Sequence, residues 1–468
     1  MGLVTRPSID ARTARRSAPH RRFFPIPSRP DPSDSPRGWL YPGEPEACRR
    51  DLRKFLPILG QMAVLLAVIG VYRVEGRALL LLGLITLIAL PIHYALPFRH
   101  KKAFFLAASL IGLGAVFGPG PALAVIGLAL PLIAATRLPI AWSARVALIS
   151  AAALGLAIGR AYAASSSLAL AEIVWPVAGS MLMFRMIIYL YELKHAKKPE
   201  PWVDTLNYFF LLPNFAFLHF PVVDYRTMGR SFFARDVHET QLAGLRMIFN
   251  GVAHLLAYRL IYHRLLISAD EVNSPATLLA YIACNYLLYL RVSGQFHVAC
   301  GMLHLFGYQL PQTHHNYLLA SGFTDYWRRV NIYWKDFMIR VVFNPVAFRL
   351  KRRPRWVALA TATSAVFATT WFLHAYQTFW LRGSWGFSAP DALFWGILGG
   401  LVLINVQLDA RASDARPTSR TDAGSPRAIA LRAAKTAATF ATIATLWSLW
   451  SSPSLGAWAG MFGKAFRP

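Results

Sequence analysis

Charged residues are scarce in this chain, and acidic residues are the scarcer kind. Only 15% of the 468 residues are Asp, Glu, Lys or Arg, and 55% are hydrophobic, whereas charged residues make up about 25% of soluble domains. The three cysteines, Cys48, Cys284 and Cys300, form no CxxC motif. Because nothing pairs them, the sequence provides neither a disulfide framework nor a thiolate metal site. The composition excludes an ordinary soluble domain and favours a protein embedded in lipid.

Long apolar runs predict the fold class. About 20 consecutive apolar residues cross a bilayer core as a helix, although some runs here are interrupted, as by GPGP at 118–121 and LPNF at 212–215. We predict an all-α, polytopic membrane protein with about 10–12 transmembrane helices. The runs lie near residues 55–74, 78–97, 103–118, 121–136, 141–163, 167–192, 205–222, 242–267, 275–292, 356–381, 390–408 and 429–450.

The positive charge is concentrated beside these runs. Lys and Arg number 49 against 22 Asp and Glu, which gives a formal charge of +27. Such an excess suits nucleic-acid binding, but the cations collect in RHKK (99–102), KHAKK (194–198) and RLKRRPR (349–355). This distribution is typical of cytoplasmic loops that flank membrane spans. We therefore predict the lipid bilayer as a partner, and no nucleic acid.

The first 54 residues differ from the rest of the chain. They are rich in Arg, Pro and Ser and lack the apolar core of a secretory signal. We predict a disordered, basic, cytoplasmic tail over 1–54, followed by one transmembrane domain over 55–468. A transit peptide is the alternative, but six acidic residues before position 55 count against it. The Ala- and Arg-rich composition favours a bacterial plasma membrane.

Polar residues enter the apolar runs only in the second part of the chain. Polar and ionisable groups inside membrane segments tend to line cavities or substrate paths. The first five runs are nearly free of them and are predicted to form a packing scaffold. From about Met181 onward the runs contain Arg185, Asn207, Asn214, His219, Asn250, His254, Asn285, Arg291 and His374.

The segment FTDYWRRVNIYWKDF, residues 323–337, is unusually polar and aromatic for its surroundings. Helical spacing places Tyr326, Tyr333 and Phe337 along one face. One interpretation is an amphipathic helix at the membrane interface, with its cations at lipid headgroups. The other is a helix partly sunk in protein that presents Asn331 to an aqueous cavity.

Histidines offer two further hypotheses. His374, deep in the run 356–381, is either a packing residue or a general base, because imidazole titrates near neutral pH. His297 and His304 share a helix face, and His314 follows a proline-containing turn. Metal sites usually need a better-defined spacing with a carboxylate or thiolate nearby, so we favour hydrogen bonds to cavity water or to a ligand. In the same stretch, Gly294 and Gly301 predict a close helix–helix approach.

Two stretches, 181–228 and SGQFHVACGMLHLFGYQLPQTHHNYLLASGFTDYWRRVNIYW at 293–334, resemble the membrane-bound O-acyltransferase family. The likeness spans residues 177–385. Tyr326-Trp327-Arg328-Arg329 is similar to the start of the FWRRWH element of bacterial polysaccharide and alginate O-acetyltransferases. Asn331-Ile332 instead matches the FWRxWNIP form of the lipid and sterol branch. His374 matches the family's histidine in a later span, although LHAY stands where bacterial relatives have WHG.

The resemblance implies a central reaction chamber in which an acyl group moves from a thioester to a hydroxyl. His374 would be the general base, and Asn331 would hold the acceptor or donate to the oxyanion. The co-substrate would be acyl-CoA or an acyl-carrier thioester, with no bound cofactor and no metal. Residues expected to contact substrate or acyl donor are Tyr326, Trp327, Arg328, Arg329, Lys335, His297 and His304. The three cations would meet CoA phosphates or, equally, lipid headgroups.

The acceptor is expected to be a glycan, cell-envelope or secreted molecule, and acetyl is the expected acyl group. A lipid acceptor is the alternative that Asn331 suggests. Relatives that modify exported glycans often work with a periplasmic accessory protein, which would be a further partner. A transporter or flippase would also use intramembrane polar groups, but the chain shows no paired half-repeats. An inactive scaffold is the remaining alternative.

Overall fold

The computed structural model describes residues 38–163, 174–194, 201–217, 223–415 and 425–467. Regular structure in these residues is helical, and β pairing amounts to two isolated bridges, Trp39 with Arg50 and Phe232 with Tyr308. The all-α prediction is therefore confirmed for the described residues. The longer helices are α1 (Leu52–Val71), α2 (Arg77–Ala95), α3 (Phe98–Phe117), α4 (Pro119–Ala135), α5 (Trp142–Ala163), α6 (Met183–Leu193), α7 (Trp202–Phe209), α8 (Tyr225–Ser231) and α9 (Val237–Leu260). They continue as α10 (Pro275–Leu287), α11 (Leu290–Leu305), α12 (Phe323–Arg329), α13 (Ile332–Met338), α14 (Asn344–Arg349), α15 (Arg355–Arg382), α16 (Ala389–Ala415), α17 (Pro426–Trp450) and α18 (Leu455–Ala465).

Eight helical stretches in the described residues are long and apolar enough to cross a membrane. They are Leu52–Val71, Arg77–Ala95, Phe98–Phe117, Trp142–Tyr162, Val174–Leu193, Pro275–Leu305, Arg355–Arg382 and Ala389–Arg411. The prediction was about 10–12. The stretch Pro119–Ala135 is apolar but shorter, and the predicted runs at 242–267 and 429–450 fall on α9 and α17, which carry more polar residues.

The predicted run 205–222 is not one helix. Its helix, α7, ends at Phe209, and a 3₁₀ turn follows at Leu212–Phe215. Arg185 donates to the carbonyl oxygens of Tyr208, at 2.6 Å, and Phe209, at 3.1 Å. Carbonyl groups freed by a helix break in an apolar interior need such a donor, which is why the break is tolerated. Residues 218–222, with the predicted His219, lie outside the described residues.

The folded chain begins earlier than the predicted boundary at residue 54. Trp39 and Arg50 pair through their backbones at 2.9 Å in both directions. The buried Arg50 guanidinium donates to Glu44, at 2.6 Å, and to the carbonyl oxygens of Tyr94 and Leu96, at the end of α2. The prediction of a disordered tail is therefore wrong for residues 39–54, because Arg50 finds buried partners. Residues 1–37 lie outside the described part.

Glycines bring α9 and α11 into direct backbone contact. A Cβ atom on Gly251 would lie 2.7 Å from the Gly294 carbonyl oxygen, and one on Gly301 would lie 2.5 Å from the Gly244 carbonyl oxygen. The close approach predicted for Gly294 and Gly301 is confirmed. Their partners are two glycines with the same spacing on α9. Glycine is required here because any side chain would fill the space between the two backbones.

The polar segment 323–337 is divided between two short helices. Asn331 has φ +40° and ψ 63°, a left-handed conformation that a helix interior does not accept. It separates α12 from α13 and caps α13. The single helical face predicted for Tyr326, Tyr333 and Phe337 is therefore wrong, since the chain turns between the first and the second of these residues.

Candidate active site

His374 lies at a junction of four helices, surrounded by indole rings. The centroid of its ring is 4.8 Å from that of Trp395, 5.9 Å from Trp450 and 6.0 Å from Trp334. These tryptophans come from α16, α17 and α13, and the imidazole on α15 is half-buried among them. An imidazole can gain a proton near neutral pH, and aromatic faces stabilise a nearby cation. The arrangement is suited to a base that becomes positively charged.

Asn331 reaches this junction through Trp334. Its Oδ1 accepts a hydrogen bond from the Trp334 backbone N–H at 3.4 Å. The Trp334 indole N–H points to the Thr370 hydroxyl, also at 3.4 Å, one turn before His374 on α15. The predicted pair is thus joined by one tryptophan, whose backbone contacts Asn331 and whose ring contacts the imidazole. That Asn331 faces His374 directly stays a prediction.

Asp391 is a buried acid beside this junction that the sequence analysis missed. Its Oδ1 accepts the Trp450 indole N–H at 2.7 Å, and its Oδ2 accepts the Trp371 indole N–H. The residue is only 6% exposed, and it lies in the first turn of α16, where the helix dipole favours a negative charge. An acid within an apolar run was the available signal. Asp391 fixes the indole of Trp450, one of the three that surround His374.

A cavity of about 340 Å³ lies beside α13, the helix that carries Trp334. This vestibule is lined by Ile188, Tyr191, Val223, Asp224, Thr227, Pro311, Tyr333, Asp336, Phe337, Ile339, Arg340, Val341 and Asn344. Asp336 is exposed at its rim, whereas Tyr333 is 3% exposed. The Tyr333 hydroxyl donates to the Pro311 carbonyl oxygen at 2.7 Å. The vestibule therefore runs from the surface towards the helix that carries Trp334.

An ion cluster forms part of the vestibule wall. The Arg340 guanidinium contacts Glu192 Oε1 at 2.7 Å and Asp224 Oδ2 at 3.1 Å. Burial by itself would raise the pKa of Asp224, but hydrogen bonds from the Thr227 hydroxyl and backbone N–H and from Arg340 outweigh it and hold that pKa below its usual value. These residues come from distant parts of the chain, so sequence spacing gave no signal for the cluster.

A second, much smaller cavity lies beside Trp334. It measures about 10 Å³ and is lined by Phe184, Ile188, Tyr333, Trp334 and Phe337. Ile188, Tyr333 and Phe337 also line the vestibule. Trp334 is the member of the set that contacts the His374 ring. The two cavities thus share three lining side chains, and Trp334 lines the smaller one.

The aromatic residues predicted to contact substrate are used in helix packing. Tyr326 is 5% exposed and belongs to the buried cluster around α12, α16 and α17. Trp327 packs on Phe367 of α15, with ring centroids 4.7 Å apart. These contacts hold α12 against the helix that carries His374. A direct contact of either residue with substrate stays a prediction.

The three predicted cations have different surroundings. Arg328 is exposed. Arg329 contacts Asp325 Oδ1 at 2.7 Å, and Lys335 contacts Asp336 Oδ1 at 2.7 Å. Two of the three thus have a carboxylate partner within the chain, and an incoming phosphate would have to compete with it. Binding of CoA phosphates by these cations stays a prediction.

His297 and His304 lie on α11 in separate environments. His304 is 2% exposed, and its Nε2 lies 2.9 Å from both the carbonyl oxygen and the backbone nitrogen of Leu310. His297 contacts the Ser293 carbonyl oxygen at 2.6 Å, and its ring lies 5.4 Å from that of His254 and 6.0 Å from that of His314. His304 therefore holds the turn after α11, and His297 belongs to a polar cluster.

That polar cluster contains no metal site by geometry. His254 Nδ1 lies 3.0 Å from the Ser293 hydroxyl, and His314 Nε2 lies 3.0 Å from the Tyr289 hydroxyl. Among the described residues, no three His, Cys, Asp or Glu side chains are placed to hold a metal ion.

In comparisons with known proteins, no family model and no curated protein matches this chain.

Proposed function

We propose that this protein is an integral-membrane O-acyltransferase with His374 as its general base and Asn331 as a supporting residue. One observation carries the proposal: Trp334 contacts both residues and also lines a small cavity. The two residues that the resemblance selects are far apart in sequence. Their arrangement around one side chain supports a common site.

The reaction needs no nucleophile from the protein. His374 takes the proton of the acceptor hydroxyl as the hydroxyl oxygen attacks the thioester carbonyl carbon. The tetrahedral oxyanion then collapses, the carbon–sulfur bond breaks, and the imidazolium returns the proton to the departing thiolate. The products are an ester and a free thiol, and no acyl-enzyme forms. The surrounding indoles favour the imidazolium that exists between the two transfers.

Asn331 has one of two roles in this scheme. Its side-chain N–H group either holds the acceptor hydroxyl or donates to the oxyanion, and removal of an oxyanion donor costs about 3–4 kcal/mol of transition-state stabilisation. The carbonyl oxygen of the same side chain is occupied with the Trp334 N–H. That contact leaves the N–H₂ end for substrate and fixes the orientation of the amide.

The donor is an acyl-CoA or an acyl-carrier thioester that enters through the vestibule. Its walls combine apolar side chains with Arg340, Asp224 and Tyr333, a combination that fits the amides and alkyl groups of a pantetheine arm. Arg328, Arg329 and Lys335 are the proposed contacts for the phosphates.

The membrane setting is supported by the apolar outer faces of the helices. Val64 of α1, Ile88 of α2 and Leu123 of α4 are 64%, 67% and 69% exposed, which water disfavours and lipid accepts. Ion pairs join Lys102, in the basic segment at the start of α3, to Asp204, and Glu192, near the start of KHAKK, to Arg340. Lys and Arg residues beside membrane spans favour the cytoplasmic side. We therefore place the segments that carry these two ion pairs, together with the N-terminus, in the cytoplasm of a bacterium.

The acceptor is proposed to be a hydroxyl of a glycan, cell-envelope or secreted molecule. A periplasmic accessory protein is the proposed additional partner. A lipid is the alternative acceptor, and it is tested by adding lipid to an assay of thiol release and ester formation.

The test is thiol release and ester formation by the purified protein with a panel of acyl-CoAs. Wild type is compared with His374→Ala and with His263→Ala, a matched change at an exposed histidine. We expect CoA release in wild type and in His263→Ala, and its loss in His374→Ala at equal yield of folded protein. Release that persists in His374→Ala refutes the assignment of the base. If no donor in the panel, including acyl-carrier thioesters, reacts with wild type, the proposed function is wrong.

A further inference from the structure

The basic segment RLKRRPR (349–355) has no part in the proposed site. It connects α14 to α15, and it follows Arg340, whose partner Glu192 lies in a segment that we place in the cytoplasm. The exposed cations of the segment include Arg349, Lys351, Arg352 and Arg353. Among the described residues, none of these four has a carboxylate within ion-pair distance. The segment therefore concentrates positive charge at the start of α15.

A cavity of about 440 Å³ adjoins this segment, between the start of α15 and the end of α16. Its lining residues are Arg355, Trp356, Leu359, Gln407, Ala410 and Arg411. The Gln407 side-chain N–H donates to the Trp356 carbonyl oxygen at 2.9 Å and so joins the two helices beside the cavity. Each helix contributes one guanidinium group, whereas the exposed Asp409 of α16 does not line the cavity. Two guanidinium groups on one cavity of this size are suited to a phosphate group.

Apolar side chains beside the cavity favour a lipid over a soluble phosphate. Trp356 is 63% exposed at the start of an apolar helix, and Phe348 on α14 is 69% exposed. Leu359, about one turn further along α15, lines the same cavity. Water disfavours exposed rings of this kind, but tryptophan is common where a membrane meets water. A lipid would use both the cations and the apolar surface, and a soluble phosphate would use the cations alone.

We propose that the ends of α15 and α16 form a binding site for an anionic phospholipid. Its phosphate lies between Arg355 and Arg411, and its acyl chains lie along Trp356 and Leu359. The exposed cations of the segment 349–353 add attraction to the negatively charged cytoplasmic surface of the membrane. Basic pockets between membrane helices on that side bind anionic headgroups in this way. The site is separate from the acyl-transfer site and does not depend on the proposed function.

The test compares lipid binding by variants of the purified full-length protein. Arg355→Gln/Arg411→Gln removes both guanidinium groups from the cavity. Arg427→Gln/Arg432→Gln is the matched control, because it removes the same charge from two exposed arginines near the start of α17 that do not line the cavity. Arg411→Gln alone changes one exposed side chain near the end of α16, so it tests the site even if the double variant fails to fold.

The measurement is the dissociation constant of each lipid, obtained by native mass spectrometry in a neutral detergent. Phosphatidylglycerol and phosphatidylcholine both carry a phosphate, but only phosphatidylglycerol has a net negative charge. Wild type should bind phosphatidylglycerol at least about tenfold more tightly than phosphatidylcholine, since each nearby cation contributes a factor of roughly five. The double variant should bind phosphatidylglycerol at least about tenfold more weakly, Arg411→Gln about fivefold, and the control less than about twofold.

Four results would overturn the proposal. Equal affinity of wild type for the two lipids would remove the preference for an anionic headgroup. Equal weakening by the control variant would indicate a diffuse effect of charge, and unchanged affinity in Arg411→Gln would exclude the cavity as the site. Displacement of phosphatidylglycerol by a similar concentration of glycerol 3-phosphate would identify the ligand as a soluble phosphate ester. None of these results bears on acyl transfer, which the CoA-release assay measures separately.

Discussion

The backbone contact between α9 and α11 makes Gly251→Ala a demanding test of the packing. A Cβ atom at this position would lie 2.7 Å from the Gly294 carbonyl oxygen, 2.7 Å from Val298 Cγ2 and 2.9 Å from the Val298 nitrogen. Ordinary contacts begin near 3.4 Å. Two of the three atoms belong to the backbone, so rotation of a side chain cannot relieve the clash and the helices must separate.

The expected cost follows from two opposing effects. Overpacking of this kind costs roughly 1–3 kcal/mol, and the upper end applies because backbone atoms are met. Alanine regains about 1 kcal/mol over glycine in a helix. The free energy of unfolding should therefore fall by about 2 kcal/mol in Gly251→Ala.

Gly127→Ala on α4 is the matched control, because a Cβ atom there meets nothing within 4 Å. It should keep or raise stability by up to about 1 kcal/mol. The assay is the apparent melting temperature of both variants in the same detergent, together with the yield of monodisperse protein. Equal melting temperatures for the two variants would refute the direct backbone contact between α9 and α11.

Three further predictions concern the site and its vestibule. In Asp391→Asn a single amide oxygen replaces the two carboxylate oxygens as acceptor, so one buried indole N–H loses its partner. We expect the free energy of unfolding to fall by roughly 1–3 kcal/mol. The control is Asp409→Asn, the same change at an exposed aspartate. Asn331→Gly accepts the left-handed conformation and should fold, but kcat should fall about 10²- to 10³-fold if the amide is an oxyanion donor. Asn316→Gly, at φ +45°, should leave kcat unchanged, and equal effects of the two would contradict the role of Asn331. The pKa of Asp224 is lowered in the folded protein, so its stabilising contribution is present above the unfolded pKa near 3.9 and is lost as pH falls through the folded value. Melting curves of wild type and Asp224→Asn should differ at pH 5 and converge as the pH falls below about 4.

Several features of the fold are local enough for the sequence to predict them. The apolar runs of α1, α2, α15 and α16 were recognisable because a long stretch without charged side chains has few alternatives to an apolar helix. Gly294 and Gly301 signalled a close approach for the same local reason, since two small residues on one helical face form a groove. His374 and Asn331 were selected by resemblance, and their arrangement around Trp334 could not be read from spacing.

Other features depend on contacts between distant segments. Asn331 ends a helix that the periodicity of 323–337 would have continued, because its left-handed backbone and its cap on α13 outweigh local propensity. Arg50 orders the end of the predicted tail only because the carbonyl oxygens at the end of α2 are within its reach.

By itself, therefore, the sequence determined that the chain is helical and largely apolar, and that polar residues enter its apolar runs mainly from about Met181 onward. Those properties depend on neighbouring residues. The tertiary structure alone decided that Asp391 binds the indoles of Trp371 and Trp450, that Arg340 pairs with Glu192 and Asp224, and that Phe184 meets Trp334 edge to face. The physical reason is that hydrogen bonds, ion pairs and cavity walls require groups within a few ångströms in space, and helix packing brings them together regardless of their separation along the chain.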